Sequence, residues 1–147
     1  MIRIRKELDL SGIEGDIVKA LEDENVKLAI NQTFADMCNP YVPMDTGYLA
    51  NSVQVTPEYV YYPAEYAEYM YMGQVYSPNI PIVDKEGNII GWTSPKGKPK
   101  HPTGREIHYS NDKHPLATKQ WDEAMLRDKG DEFSKAVADI IYRRLQE

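Results

Sequence analysis

The sequence predicts an α+β fold, with a long N-terminal helix and C-terminal helices packed on one face of a small antiparallel β-sheet. Apolar residues recur at helical spacing before Cys38 and again after Pro115. Between them the chain is rich in β-branched and aromatic residues, broken by Pro and Gly. With 147 residues it suits one domain over 1–147, with an N-terminal arm (1–10) and a hairpin/loop excursion (74–111).

Ile2 and Ile4 alternate with Arg3 and Arg5, a short strand or ordered arm. Ser11-Gly-Ile-Glu14 matches a capping box, in which serine caps one end amide and glutamate reaches back. A helix to about Cys38 follows, with Ile13, Ile17, Leu21, Leu28 and Ala35 on one face. Ile30, Phe34 and Met37 widen that stripe, and Glu22, Asp23 and Glu24 interrupt it on the wet side. Pro40 and Pro43 stop the helix, because proline lacks the amide and disfavours helix in the residue before it. Asp45 then caps a helical turn through Ser52. From Val53 to about Gly73, residues such as Val55, Tyr59, Val60, Tyr61, Tyr66, Tyr69 and Tyr71 suit strands, with Pro57 and Pro63 at edges or turns.

Ile80–Val83 and Ile89–Trp92 flank Asp84-Lys-Glu-Gly-Asn88, a hairpin signal with Gly87 free to take positive φ. Ser94–Gly104 is rich in Pro, Gly and Lys and reads as a mobile loop, with Arg105–Ser110 returning as a strand. From about Pro115 the pattern turns helical, with Ala117, Trp121, Ala124 and Met125 on one face. After Gly130 a second run carries Phe133, Val137, Ile140, Ile141 and Leu145. The arm and the excursion offer strand-forming segments with little core, so a neighbouring subunit is expected to order one or both, by strand addition.

Hydrophobic content of 41% with 27% charge is that of a soluble globule able to bury a core. Cys38 is the one cysteine, so no disulfide forms within the chain and a reducing compartment is expected. No apolar stretch follows the first residues as in a signal peptide, and no run of about 18 apolar residues spans a membrane. Net charge is −6, unevenly spread. Residues 1–95 hold six Lys/Arg against fourteen Asp/Glu (−8); residues 96–147 hold eleven against nine (+2). The acidic part argues against a surface that wraps nucleic acid. The asymmetry fits either an ordinary solvated surface or complementary faces meeting head to tail.

Candidate chemistry is thin. His101, His108 and His114 with Cys38 match no compact zinc spacing, and Cys38 beside Met37 reads as a packed thiol rather than a nucleophile. Glu65/Glu68 and Asp122/Glu123 could suggest two-carboxylate glycosidase chemistry, but solvent-facing charge explains them. Gly97-Lys-Pro-Lys100 lacks the context of a phosphate loop, and no cofactor is implied. Nine of the eleven tyrosines fall between Tyr41 and Tyr76. They suit an interface, a half-buried sheet face or a carbohydrate-stacking platform. Lys96, Lys98, Lys100 and Arg105 form a basic loop, either solvated or facing DNA or an acidic neighbour.

Two segments carry a family resemblance: Tyr41-Val-Pro-Met-Asp-Thr-Gly-Tyr-Leu-Ala-Asn-Ser52 and Tyr66-Ala-Glu-Tyr-Met-Tyr-Met-Gly73. Through Tyr41, Pro43, Asp45, Thr46, Gly47, Leu49 and Ser52, then Tyr66, Ala67, Tyr69 and Gly73, then His114, Pro115 and Trp121, the chain resembles minor capsid and head–tail joining (neck, tail-completion) proteins of long-tailed phages. The ordered set is moderately specific. The family commonly has glutamate where this chain has Tyr71, and residues 74–111 are a lengthy excursion. The resemblance implies a non-enzymatic virion component of the neck, made in the host cytoplasm. Its partners would be copies of itself in a ring, neighbouring head-completion and tail proteins, and DNA in passage, with no membrane. The alternative is a small cytosolic binding module whose tyrosine-rich sheet holds a protein or glycan.

Overall fold

A computed structural model describes residues 1–5, 15–44, 47–77, 80–93 and 101–146. The chain is α+β: the described residues form five α-helices and strands that pair antiparallel in three small sheets. The capping box at Ser11–Glu14 lies outside the described residues.

The expected single N-terminal helix is two, α1 (Gly15–Glu22) and α2 (Glu24–Cys38). Asp23 breaks it, because its extended backbone frees the carboxylate to cap α2. Its Oδ1 accepts from the amides of Asn25 (2.8 Å) and Val26 (3.3 Å). The break resets the buried face. Val26, Phe34, Ala35 and Cys38 face inward, while Leu28, expected on the core stripe, is 39% exposed. Pro40 lies in a 3₁₀ turn, Asn39–Tyr41, that ends the helix.

The arm contributes β1 (Ile2–Ile4), which joins β2 (Gln54–Val55) and β3 (Val60–Tyr62) in the order β1-β3-β2. Arg3 pairs with Tyr61, and Tyr61 with Gln54. The arm's described ladder lies within its own chain. Between β2 and the preceding turn sits α3 (Tyr48–Asn51), which begins at Gly47 with φ 87°. Asp45, the expected cap, lies outside the described residues.

Tyr66–Gly73 is not a strand. Ala67–Met72 forms α4, because Ala67 and Met70 bury one helical face, and Gly73 closes it in the left-handed region (φ 77°). Strand propensity of the tyrosines yields to this packing. β4 (Gln74–Ser77) pairs with β7 (His101–Glu106), and β5 (Ile80–Val83) pairs with β6 (Ile89–Thr93). The returning strand thus begins at His101, inside the stretch read as a loop, and ends before Ile107; residues 94–100 lie outside the described residues. The hairpin is as expected, with Gly87 at φ 85°. The excursion is not empty of core, since Val75, Ile89 and Ile107 are buried.

Helix α5 (Trp121–Leu145) starts six residues later than the pattern suggested and joins both expected runs. Lys129 (φ −132°, ψ 22°) kinks it. Its second half runs antiparallel to α2: Tyr41 meets Asp128, Phe34 meets Phe133 edge-on at 5.5 Å, and Asp23 meets Arg144. The core gathers where α2, β3, α4 and the start of α5 converge on Trp121, Tyr62, Met125, Val42, Val60 and Cys38.

Candidate functional site

The family-motif residues come together in space, and most are consumed by internal packing. Trp121 is 0% exposed, with Tyr62 and Tyr71 edge-on to it at ring separations of 5.2 and 5.0 Å. Backbone bonds stitch the motif segments around it. Tyr41 accepts from the Thr118 amide, and Tyr71 accepts from the Gln120 amide, both at 3.0 Å. Val42 carbonyl lies 2.7 Å from His114 Nδ1. The Gly73 amide donates to Tyr69 (2.9 Å), and the Gly73 carbonyl accepts from Ile107 (3.0 Å).

The remaining motif side chains divide between core and rim. Tyr41, Pro43, Leu49 and Ala67 are buried, and the Tyr41 hydroxyl donates to Asp128 (3.1 Å). Burial, then the Asp128 carboxylate, raises the Tyr41 pKa. Ser52 closes α3 by donating to the Leu49 carbonyl (3.0 Å). Tyr66 is half-buried against Tyr48, and Tyr69 lies against Tyr76 at 4.7 Å; Pro115 is exposed. Asp45, Thr46, Lys96, Lys98 and Lys100 lie outside the described residues. Arg105 is exposed near the end of β7.

Sequence reasoning missed a buried acid. Asp122, read as solvent-facing, is 4% exposed and accepts from the Tyr71 hydroxyl at 2.7 Å. It occupies the second position of a long helix, where backbone amides favour negative charge. Burial, then this carboxylate, raises the Tyr71 pKa. The signal was Trp121: a helix whose first residue is core carries its neighbour inward. Glu123 is exposed, so the pair does not face one cleft.

The tyrosine-rich sheet face is already occupied. The Arg3 guanidinium lies 5.4 Å from the Tyr59 ring centre and 5.2 Å from that of Tyr61. A sugar would have to displace that cation. Cys38 is fully buried, His108 is exposed, and His114 is half-buried on the Val42 carbonyl. Among the described residues, no three His, Cys, Asp or Glu side chains gather as metal ligands.

Two hollows exist. One of about 20 Å³, lined by Pro43, Gly47, Leu49, Tyr66 and the buried Ser110, has room for about a single water. The other is an open groove of about 520 Å³ between the start of α2 and the end of α5. No described helix is long and apolar enough to cross a membrane.

No curated protein and no solved structure matches this chain. A family model described as minor capsid protein matches residues 4–139, which takes in every motif segment above. The chain belongs to this phage minor capsid family, and its role is that of a structural component of the virion.

Proposed function

We propose that this protein forms or completes the neck of a tailed phage, assembling as a ring between the DNA-filled head and the tail. The observation that carries this reading is that most described motif residues are spent on internal packing: Tyr41, Pro43, Leu49, Ala67 and Trp121 are buried, and contacts from Tyr41 to Thr118 and from Val42 to His114 tie the first motif segment to the last. A ring needs two unlike faces whose rotation closes, and the −8 and +2 parts of the chain supply unlike charge. An acidic lumen would also repel the phosphate backbone and let DNA pass without sticking. Neighbouring head-completion and tail proteins are the docking partners. The binding-module alternative loses support from Arg3, which fills the tyrosine platform.

Phage lacking the gene should yield DNA-filled heads and separate tails, scored by electron microscopy. Normal joined particles would overturn the proposal. Ring assembly should weaken with added salt if charge matches the faces.

A further inference from the structure

The hairpin β5–β6 has an apolar end that its own chain leaves uncovered. Ile82 is 47% and Val83 54% exposed. The ladder shifts register between them, so regular alternation of faces is broken there while both side chains reach solvent. The outer edge of β5 is a poor template for an added strand. Pro81 lies in it, and a proline in a ladder keeps its amide-less nitrogen on the free edge. What the hairpin offers is side chains to insert rather than backbone to pair.

The open groove is a matching receptor. Half-buried Ala29 and Ile140 give it an apolar lining over the buried Val26, and Asp23, Arg143 and Arg144 rim it. Asp23 holds Arg144 at 3.2 Å, while Arg143 is exposed, so the rim carries one excess positive charge. The hairpin turn, Asp84-Lys85-Glu86, carries one excess negative charge. The Asp84 carboxylate is turned inward to the amides of Glu86 and Asn88, which leaves exposed Glu86 as the outward acid.

The two features are anchored beyond opposite ends of α2: Pro43 and Met44, just past its last turn, line the hollow that Ile89 enters, and Asp23, Asn25 and Val26 at its start line the groove. The hairpin is tied to the Trp121 end, through Ile89 on His108 and the small hollow it shares with Tyr66 and Met70. The groove lies at the start of α2 and the last turns of α5, and the run of α2 from Val26 to Cys38 separates the two by about 18 Å at about 1.5 Å per residue. Donor and receptor on opposite ends cannot meet within one copy, and between copies they make a heterologous contact. We propose that the Ile82/Val83 end of one copy seats in the Val26/Ala29/Ile140 groove of the next, with Glu86 facing Arg143. The choice of a second copy as occupant rests on the neck reading.

Mixing copies carrying Val83→Cys with copies carrying Ala29→Cys tests the contact directly, since Cys38 is fully buried and does not compete. Under mild oxidation, non-reducing electrophoresis should show the mixed dimer ahead of either same-variant dimer. Adding Glu86→Arg to the hairpin copy should cut its yield about tenfold, and Arg143→Glu in the groove copy should restore it. Absence of the mixed dimer at high protein concentration, or a dominant Val83→Cys self-dimer, would overturn the contact. Joined particles assembled normally by phage carrying Glu86→Arg alone would sink the contact and leave the neck reading standing. A mixed dimer from a protein located elsewhere in the virion would support the contact and remove the neck.

Discussion

The surroundings of Trp121 and the hairpin β5–β6 are both apolar, yet they are held by different physics. Around Trp121 three aromatic rings meet edge-on, and backbone bonds from Thr118 to Tyr41 and from Gln120 to Tyr71 cross just before it. The hairpin is set by its turn: Asp84 accepts from the amides of Glu86 and Asn88 at 2.9 Å, and Gly87 takes positive φ. Ile89 anchors it to the core, while Ile82 and Val83 stay exposed. The difference teaches that hydrophobicity serves two ends in one small chain. In the centre it specifies the fold; at the hairpin it is surplus to folding and remains for a contact.

Trp121→Ala is the most severe way to test this division. It should cost about 3–5 kcal/mol in denaturant unfolding, as for other large-to-small core changes. A cost below about 1 kcal/mol would move that ring from the core to an assembly face. Tyr71→Phe should cost about 1–3 kcal/mol, because buried Asp122 loses a donor. Gly73→Ala comes next, at about 1–2 kcal/mol, since φ 77° is unfavourable for a side chain. Its Cβ would also meet Lys119 Cδ at 2.7 Å, but that flexible chain can move aside. Val83→Ser should change stability by no more than about 0.5 kcal/mol, as expected for an exposed site. A larger loss would mean the hairpin is part of the core after all.

Acid sharpens the same comparison. Amides of Asn25 and Val26, helped by Arg144 against some desolvation, hold the Asp23 carboxyl below its ordinary value of 3.8. At Asp84 desolvation pushes upward, but bonds from Asn88 and Glu86 outweigh it, so that carboxyl also lies below 3.8. A depressed folded pKa stabilises above the unfolded value and is lost as pH falls through the folded one. The α1–α2 junction and the hairpin turn should therefore loosen below about pH 4, before the Trp121 centre, whose ring contacts and backbone bonds carry no charge. Hydrogen exchange across that range would show it; simultaneous opening of all three regions would contradict the division.

Much of this was legible in the sequence. The α+β class, the hairpin with Gly87, and the burial of Trp121, Ala124 and Met125 follow from periodicity and turn chemistry. What failed did so for local reasons. Tyr66–Gly73 carries strand formers, but Ala67 and Met70 at helical spacing decided its state once a core was present to receive them. Asp23 looked like a wet-face charge because capping depends on the backbone at that residue, which composition does not reveal. Asp122 was misplaced because its partner, Tyr71, is 51 residues distant. Of the candidate site, the motif was visible as an ordered set, but its convergence on one indole required the fold. The groove was invisible, since it joins residues near 25 to residues near 143.

The departure of Lys129 from helical geometry divides α5 into two levers that share a joint. One lever is clamped by rings at Trp121, the other by Phe34 and Asp23. Because each lever has its own clamp, a change of angle at that joint leaves the rings around Trp121 in register.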